Sequence, residues 1–272
     1  CHYCGHSEAV VDRCSECGGL LKRVGSGTQK VEQELAALFP GTRVLRMDAD
    51  TVAAARGHEA LLKQFTEQNI PILLGTQMVA KGLDFENVTL VGVLDADLSL
   101  YVQNYHAAER TYSLLAQVVG RAGRGERAGR AVIQTYHPEN EVIQAAAKQD
   151  YEAFYQSELR LRRLRRYPPF ADLFTLTVSG SEELRVIAAA RTLCDALRCE
   201  SEREPLRALE TEVLGPAGAP VVKVNDRYRY CVYLCGRSDS ALRRTVSEYL
   251  LAFYARKENR GLDIFADCNA LQ

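Results

Sequence analysis

The sequence predicts an α/β protein in three parts: a small metal-binding segment, a domain with a parallel sheet, and an α+β domain. Three observations predict this arrangement. Two C-x-x-C pairs lie within the first 17 residues, apolar β-type runs alternate with helical patterns from 24 to about 135, and the order of elements changes after Pro168 and Pro169. The metal-binding segment is predicted over 1–22, the parallel-sheet domain over 23–150 and the α+β domain over 171–272, with an arginine-rich helical linker over 151–170 between the two domains.

The composition is that of a globular protein. The chain has 272 residues, of which 47% are hydrophobic, enough for a packed core. Lys plus Arg number 34 and Asp plus Glu 35, so the net charge of −1 does not favour a polyanionic partner, and any nucleic-acid surface must be local. Neither a long apolar run nor a signal-peptide pattern is present, which predicts a soluble intracellular protein. Because the chain begins with Cys1 rather than Met, we expect further residues before it.

Four cysteines near the start have spacing suited to a metal. Cys1 and Cys4 form one C-x-x-C pair, and Cys14 and Cys17 form the second after nine intervening residues. Each pair can place two thiolates on one metal, and two pairs complete the closed tetrahedral site of a structural Zn²⁺. The alternative is a set of unligated surface thiols, which oxidise easily. A redox dithiol is disfavoured because no βαβ pattern surrounds the pairs.

The middle of the chain predicts a parallel sheet covered on both faces. Its candidate strands are 43–47, 70–75, 89–94 and 130–135. Helical patterns cover 29–37, 59–68 and 107–119 between them. Strands that alternate with helices are typical of parallel sheets.

The C-terminal part has a different order of elements. A polar helical region covers about 139–166 and is stopped by Pro168 and Pro169. Strands are then predicted at 172–179, 213–224, 228–235 and 261–266, and helices at 182–198 and 240–256. The resulting order, β-α-β-β-α-β, is the ferredoxin-like arrangement.

The segment GTQMVAKGLDF, residues 75–85, follows an apolar strand. Thr76 at the end of that strand would lie at the carboxyl edge of the sheet, where ligands of parallel sheets bind, and suits a phosphate contact. Gly82 permits close backbone approach, and Asp84 offers a carboxylate to a ribose hydroxyl or an ordered water. The alternative is a plain turn containing Gly and Asp.

The segment QVVGRAGRGERAGR, residues 117–130, presents two arginines among small residues. Arg121 and Arg124 are three apart, so they lie on one face of a helix end, shortly after Gln117. Two guanidinium groups presented in this way suit a γ-phosphate during phosphoryl transfer. The alternative is a basic, glycine-rich turn that ends a helix.

Two further basic regions are candidates for contact with DNA. Residues 160–166 contain five arginines, at positions 160, 162, 163, 165 and 166, enough to contact several phosphates. The alternative is a solvated helix whose other face is marked by Leu159, Leu161 and Leu164 and whose Glu158 pairs with an arginine. A weaker candidate is the predicted hairpin that carries Lys223, Arg227 and Arg229, which is also explained as a polar strand edge.

These motifs resemble a known family. GTQMVAKGLDF and QVVGRAGR look like motifs V and VI of superfamily 2 helicases. With VGSGTQKVEQEL, FPGTRVLRMDAD, VGVLDADLSL, YPPFADL and the leading CHYCGH and CSECGG, they closely resemble the PriA family, primosomal replication protein N′, bacterial DNA helicases that restart stalled replication forks. The resemblance is most specific over 24–175 and weakens over 200–272, where IFADCNALQ departs from the family's Asp-Val-Asp-Pro-like ending.

The resemblance implies a role for each matching position. Residues 24–150 are expected to form the second RecA-like lobe of the helicase. It implies catalytic roles at the nucleotide for Gln117, Arg121 and Arg124, and DNA contact by Thr76. Gly82 and Asp84 are implied to bind the nucleotide or to lie on the coupling path between the two sites. Arg163 and Arg166 of the arginine run are the further candidates for DNA contact.

The resemblance also implies cofactors and partners. Structural Zn²⁺ is expected, together with ATP and Mg²⁺ in the intact protein. The implied activity is 3′-to-5′ unwinding of DNA, with forked and single-stranded DNA, primosome proteins and single-stranded-DNA-binding protein as partners, in the bacterial cytoplasm at the nucleoid. The alternative is a non-catalytic, zinc-containing scaffold that binds DNA and proteins.

Two features of the family are incomplete in this chain. The family binds two zincs with eight cysteines in interleaved pairs, and only four of those cysteines are here. Either Cys1 and Cys4 share a metal with upstream residues while Cys14 and Cys17 complete the other site, or all four bind one zinc. The sequence also has no G-x-x-x-x-G-K-[ST] loop and no Asp-Glu-x-His after an apolar strand. We therefore expect that the isolated chain does not hydrolyse ATP.

Overall fold

The protein is described from a computed structural model. The described residues are 11–14, 17–20, 27–54, 57–76, 88–102, 104–120 and 129–270, with only the backbone of residues 49, 53 and 54. They divide into two compact units. The first contains the described residues of Val11–Val102 and His106–Tyr155, and the second those of Gln103–Tyr105 and Gln156–Gln272.

The first unit alternates helices and short strands. Its strands are β1 (Val44–Met47), β2 (Ile72–Gly75), β3 (Leu90–Val93) and β4 (Arg130–Ile133). Its helices are α1 (Thr28–Leu38), α2 (Ala49–Ala54), α3 (His58–Glu67), α4 (Asp97–Leu100), α5 (Ala107–Val119) and α6 (Glu141–Lys148). Helix α7 (Tyr151–Arg165) starts in this unit and ends in the second. The short helices α2 and α4 were not predicted from the sequence.

The strands of the first unit pair in parallel, as their alternation with helices predicts. β1 pairs with β2, placing Val44 opposite Ile72, and β3 pairs with β4, placing Leu90 opposite Arg130. Within the described residues these are two separate two-stranded sheets rather than one continuous sheet. In the first pair, the carboxyl end of β2 leads directly to Thr76, one of the candidate site residues.

A small aromatic and aliphatic core holds α5, α6 and the start of α7 together. The ring of Tyr112 on α5 stacks on that of Phe154 on α7, with centroids 4.2 Å apart. Leu115 and Ile143 complete the contact between α5 and α6. Burying a side chain such as Phe154 contributes about 1.5–3 kcal/mol, so this cluster fixes α5, the helix that leads to the predicted arginines.

The helical region predicted over 139–166 is two helices. Asn140 caps α6 by accepting a hydrogen bond from the Val142 amide at 2.9 Å. The helix ends where Gln149 adopts a left-handed conformation with φ 56°, and Asp150 then caps α7 by accepting from the Ala153 amide at 2.9 Å. Asn and Asp are favoured N-cap residues, so the sequence contained the signal for both starts.

The second unit is an antiparallel sheet with helices. Its elements are β5 (Asp172–Gly180), α8 (Glu183–Ser201), β6 (Glu212–Val224), β7 (Arg227–Gly236), α9 (Ser240–Ala255), a 3₁₀ helix (Lys257–Asn259) and β8 (Asp263–Cys268). The strand order is β6-β7-β5-β8, and Leu176 in the central strand lies opposite Val232 and Ala266. Alternate residues of β5 pack against α8 and α9 in one core that includes Phe174, Leu176 and Val178.

Among the described residues, no helix combines the length and apolarity needed to cross a membrane.

Candidate nucleotide and nucleic-acid site

The predicted phosphate-contact residue Thr76 lies where expected. It follows Gly75, the last residue of β2, and its side chain is exposed at the carboxyl end of the β1–β2 pair. The strand therefore presents a hydroxyl at the edge where ligands of parallel sheets bind. Gly82 and Asp84, the other candidates of this segment, lie outside the described residues.

Asp48, which the sequence analysis did not single out, follows β1 at the same edge. Its Oδ2 accepts a hydrogen bond from the Thr28 hydroxyl at 2.6 Å, and its Oδ1 accepts one from the Thr51 amide at 3.0 Å. The Asp48 amide in turn donates to the Thr51 hydroxyl at 2.8 Å, a reciprocal cap at the start of α2. The carboxylate thus joins the starts of α1 and α2 to the end of β1.

These contacts favour the charged form of Asp48. The Thr28 hydroxyl, followed by the Thr51 amide, lowers the pKa of Asp48 from 3.8 to about 2. Arg46 adds to the effect, with its Nε 2.9 Å from Oδ2. Because this nitrogen lacks hydrogen-bond geometry, the contact is an ion pair rather than a directed hydrogen bond.

A second buried carboxylate, Asp97, closes the end of the β3–β4 pair. Its Oδ1 accepts from the Thr135 hydroxyl and its Oδ2 from the Tyr136 amide, each at 2.9 Å. The Ala96 amide also donates to the Gln134 carbonyl at 3.0 Å. Asp97 therefore holds the loops after the two strands together. Because its bonds to residues 135 and 136 span 38 and 39 positions, sequence patterns could not reveal this role.

Helix α5 carries Gln117 and leads to the arginine segment. Its buried face includes Ala107, Thr111 and Leu115, which recur every four residues. Gln117 lies two residues after Leu115, and therefore on the opposite side of the helix, where its side chain is exposed. Arg121 and Arg124 lie outside the described residues.

Gly120 ends α5 in a crowded place. Its amide donates to the Ala116 carbonyl at 2.9 Å. A Cβ atom at this position would lie 2.9 Å from Nε2 of Gln149 and 3.2 Å from the Ala116 oxygen. The absence of a side chain at Gly120 therefore lets the turn between α6 and α7 pack against the end of α5.

The second C-x-x-C pair lies in a tight turn. The Cys14 amide donates to the Gly19 carbonyl at 2.9 Å, and the Gly18 amide donates to the Cys14 carbonyl at 3.0 Å. Gly18 has a φ of +69°, which glycine adopts without strain. A Cβ on Gly19 would lie 3.4 Å from Sγ of Cys17, so glycine leaves space beside that thiol.

Cys14 and Cys17 are the two described cysteines of the predicted metal site. Cys17 is exposed and Cys14 is half-buried, and neither is in a disulfide. Cys1 and Cys4 lie outside the described residues, and within those residues no group of three or more metal-ligating side chains comes together. Two thiols on a tight turn suit zinc, and the remaining ligands would come from elsewhere.

The leucines of the arginine helix do not form a buried apolar face, which was part of one of the two alternatives for this helix. Arg162 is only 7% exposed, whereas Leu164 is 82% exposed and Leu161 39%. Arg162 is buried because its Nε donates to Oε1 of Glu158 at 2.8 Å and its Nη1 to the Pro168 carbonyl at 2.9 Å. The sequence alternative included a pairing of Glu158 with an arginine. The structure contains this pair, but both side chains are buried.

The other arginines of the run have separate environments. The Arg163 guanidinium lies 4.9 Å from the Phe170 ring centroid and is exposed. Arg166 donates to the Glu210 carbonyl at 2.6 Å. Arg160 and Arg165 are exposed. The run is therefore divided between internal contacts and a solvent-facing cationic surface.

The hairpin cations are also partly engaged. Lys223 pairs with Asp226 at 3.1 Å and lies 5.2 Å from the Tyr228 ring centroid. Arg227 pairs with Asp263 across the sheet. These contacts favour the interpretation of this region as a polar sheet surface.

Comparison with known proteins gives the family. Residues 24–126 match the helicase conserved C-terminal domain, and residues 163–269 match the primosomal protein N C-terminal domain. Replication restart protein PriA of Bacillus subtilis (strain 168) is 42% identical over 270 residues, which cover 99% of this chain and 33% of that protein. The chain belongs to the PriA family.

Two other PriA proteins are similar to this chain over most of its length. PriA of Synechocystis is 43% identical over 234 residues, covering 85% of this chain and 27% of that protein. PriA of Treponema pallidum is 36% identical over 257 residues, covering 94% of this chain and 38% of that protein. The chain thus spans about a third of the length of these relatives and corresponds to their C-terminal portion.

Proposed function

We propose that this chain is the C-terminal portion of an ATP-dependent 3′-to-5′ DNA helicase that binds and remodels stalled replication forks and directs primosome assembly for replication restart. The observation that carries the proposal is α5, which carries an exposed Gln117 in its last turn, four residues before Arg121 in the sequence. The names of the relatives, replication restart proteins, support the same function. Its site of action is the nucleoid in the bacterial cytoplasm, with primosome proteins and single-stranded-DNA-binding protein as partners.

In this function the arginine pair acts on the nucleotide. Arg121 and Arg124 neutralise charge on the γ-phosphate, and Gln117 in the last turn of α5 contacts the same group. Gly82 and Asp84, which follow β2 in the sequence, bind the nucleotide. ATP, with Mg²⁺, is held mainly by residues of the intact protein outside this chain and supplies the free energy for unwinding.

DNA contact is assigned to Thr76, Arg163 and Arg166. The exposed hydroxyl of Thr76 at the end of β2 suits a backbone phosphate. Arg163 is supported by its exposed guanidinium, with Arg160 and Arg165 as exposed neighbours. Arg166 has less freedom because it is bonded to Glu210.

We assign structural zinc to the leading cysteines. The tight turn of Cys14 and Cys17 and the glycine beside Cys17 support two ligands there, and Cys1 and Cys4 supply thiols to the same or a second metal. In the intact protein, Cys14→Ser and Cys17→Ser should each lower the zinc content measured by plasma mass spectrometry. Cys199→Ser, at an exposed cysteine on α8, is the control. Zinc content equal to wild type in both variants would contradict the assignment.

The domain divisions are also proposed. Parallel strand pairs flanked by helices support a RecA-like lobe over 23–150, preceded by a zinc-binding segment over 1–22. An arginine-rich linker covers 151–170. The element order and the strand order β6-β7-β5-β8 support a ferredoxin-like domain over 171–272.

Arg124→Ala in the intact protein tests the helicase function. We expect DNA unwinding and DNA-stimulated ATP hydrolysis to be lost while the Kd for forked DNA stays within twofold of wild type. Arg191→Ala, at an exposed arginine on α8, is the matched control and should unwind normally. Normal unwinding by Arg124→Ala would instead favour a non-catalytic scaffold that binds DNA and proteins.

A further inference from the structure

Strand β8 is the regular edge of the sheet in the second unit. Among the described residues, the strand order β6-β7-β5-β8 leaves one side of β6 and one side of β8 without a neighbouring strand. The register of β6 on β7 shifts twice, and β6 contains Pro216 and Pro220, which lack backbone donors. β8 pairs with β5 without a shift from Asp263 to Cys268. Of the two edges, β8 is therefore the one that a further strand can join along its length.

Alternate residues of β8 point their backbone groups away from β5. In an antiparallel strand the amide and carbonyl of one residue point to one side, and those of the next residue point to the opposite side. The Asn269 amide, just after β8, donates to a carbonyl of β5 at 2.8 Å, whereas the amide and carbonyl of Ile264 both bond to the Tyr254 hydroxyl. The backbone groups of Ala266 and Cys268, two and four residues after Ile264, therefore point outwards as well.

The backbone of Ala266 and Cys268 is open to a partner. Within the described part of the chain, no hydrogen bond from beyond the β5–β8 pair reaches the backbone of either residue. Cys268 is exposed and Ala266 is half-buried. At the equivalent position, the Tyr254 hydroxyl donates to the Ile264 carbonyl at 2.9 Å and accepts from its amide at 3.2 Å. An added strand would bond to the backbone of Ala266 and Cys268 in the same way.

The side chains beside this edge favour a cationic partner. Asp263, Phe265 and Asp267 alternate with the outward-bonding residues and lie on the face of the sheet opposite α8 and α9. Phe265 is 42% exposed, and both carboxylates are exposed. Arg227 pairs with Asp263, but no ion pair of Asp267 occurs among the residues that the structure describes. A neighbouring strand with a basic residue opposite Asp267 and an apolar residue opposite Phe265 is stabilised at both positions.

The same side chains disfavour two other occupants. A second copy of β8, paired antiparallel about Phe265, would place Asp263 of each strand opposite Asp267 of the other, and like charges directly opposite are destabilising. Nucleic acid would bring phosphates close to two exposed carboxylates, which repel them. The edge therefore fits a protein segment that carries positive charge.

We propose that β8 binds an extended segment of another protein as a fifth strand of the sheet, with a basic residue opposite Asp267 and an apolar residue opposite Phe265. The backbone of Ala266 and Cys268 supplies the hydrogen bonds to the added strand. This surface is separate from the proposed helicase activity, so its test requires neither ATP hydrolysis nor DNA unwinding.

A short peptide tests the proposal on the intact protein. The probe is fluorescein-labelled Thr-Lys-Thr-Ile-Thr-Lys, which as a strand places its lysines and isoleucine on one face. Fluorescence anisotropy should detect its binding, and hydrogen exchange of residues 263–268 should slow when it is bound. Methylation of the amides of the first two threonines removes the donors that face Cys268 and Ala266. We expect this methylation to raise the Kd at least tenfold, because charge alone does not hold the peptide.

Asp267→Lys reverses the charge that favours the probe. We expect the Kd for the lysine peptide to rise at least tenfold. A peptide with glutamate in place of both lysines should bind the variant more tightly than it binds wild type, which also shows that the variant is folded. Asp195→Lys, at an exposed aspartate on α8, is the matched control and should bind the lysine peptide with a Kd within twofold of wild type.

Three results would overturn the proposal: no binding of the lysine peptide by wild type, equal Kd values for the methylated and unmethylated peptides, and equal Kd values for Asp267→Lys and wild type. Slower exchange of residues 263–268 in a wild-type dimer, or on addition of forked DNA, would assign the edge to a second copy or to DNA instead. If Asp267→Lys does not fold, the methylated peptide decides with wild-type protein alone, and a Kd raised at least tenfold supports strand addition.

Discussion

The carboxylate of Asp97 accepts a hydrogen bond from the Thr135 hydroxyl, with 2.9 Å between the two oxygens. The same carboxylate accepts from the Tyr136 amide, and it is almost fully buried. It therefore ties the loops after β3 and β4 together, beside the hydrogen bond from the Ala96 amide to the Gln134 carbonyl.

Replacing Asp97 should destabilise this end of the sheet. Asp97→Ala leaves the Thr135 hydroxyl and the Tyr136 amide without their acceptor, and we expect a loss of about 2–4 kcal/mol in the free energy of unfolding. Urea denaturation measures the loss, and faster hydrogen exchange at the Tyr136 amide locates it. Glu59→Ala, at an exposed acidic residue of the same unit, is the control. Unchanged exchange at Tyr136 would show that the bond contributes little.

The depressed pKa of Asp48 predicts a dependence of stability on pH. Because its folded-state pKa is about 2 against 3.8 for an unperturbed group, Asp48 stabilises the fold above pH about 4. This contribution is lost as the pH falls from about 4 through about 2. Thr28→Val removes the largest cause, so the pKa of Asp48 should rise towards 3.8 and the acid-dependent loss should shrink.

Carboxyl-carbon NMR titration of Asp48 measures this change. Thr66→Val is the matched control, because the Thr66 hydroxyl donates to the Leu62 carbonyl and does not contact Asp48. A Thr28→Val protein with the wild-type pKa at Asp48 would show that the Thr28 hydroxyl is not the cause.

The buried pair of Glu158 and Arg162 predicts strong non-additivity. Arg162→Leu leaves the Glu158 carboxylate buried without its partner, at a cost of about 3–5 kcal/mol in the free energy of unfolding. Glu158→Leu combined with Arg162→Leu removes both charges and should cost less than Arg162→Leu alone. Urea unfolding of the two single variants and the double variant gives the coupling. A double variant less stable than both single variants would argue against a desolvated ion pair.

Asn269 should control the ionisation of Asp172. Burial raises the pKa of Asp172, but hydrogen bonds from Ser238, Asn269 and Arg243 outweigh it, so the pKa lies below its usual value. Asn269→Gly removes the side chain and tolerates the φ of +51° at this position. We expect the pKa of Asp172 to rise in the variant and hydrogen exchange at the Leu173 amide to accelerate. An NMR titration that finds no rise would assign the low pKa to Ser238 and Arg243 alone.

The local sequence was sufficient to predict most of the helices and strands of this protein. The four-residue repeat of Ala107, Thr111 and Leu115 in α5 depends on neighbours within one element. Hydrophobic periodicity reports such neighbours directly. The family motifs are likewise contiguous, so Thr76 and Gln117 could be predicted as site residues from the sequence, and these roles stay predictions.

Tertiary structure decided which residues of those elements are internal. Arg162 is buried and Leu164 exposed, against the pattern of the helix, because Glu158 and backbone carbonyls satisfy the guanidinium. Tyr105 joins the C-terminal unit through partners 57 and 164 positions away, Arg162 and Asn269. Periodicity within one helix or strand cannot reveal such pairs, because these contacts form only when elements distant in sequence pack together.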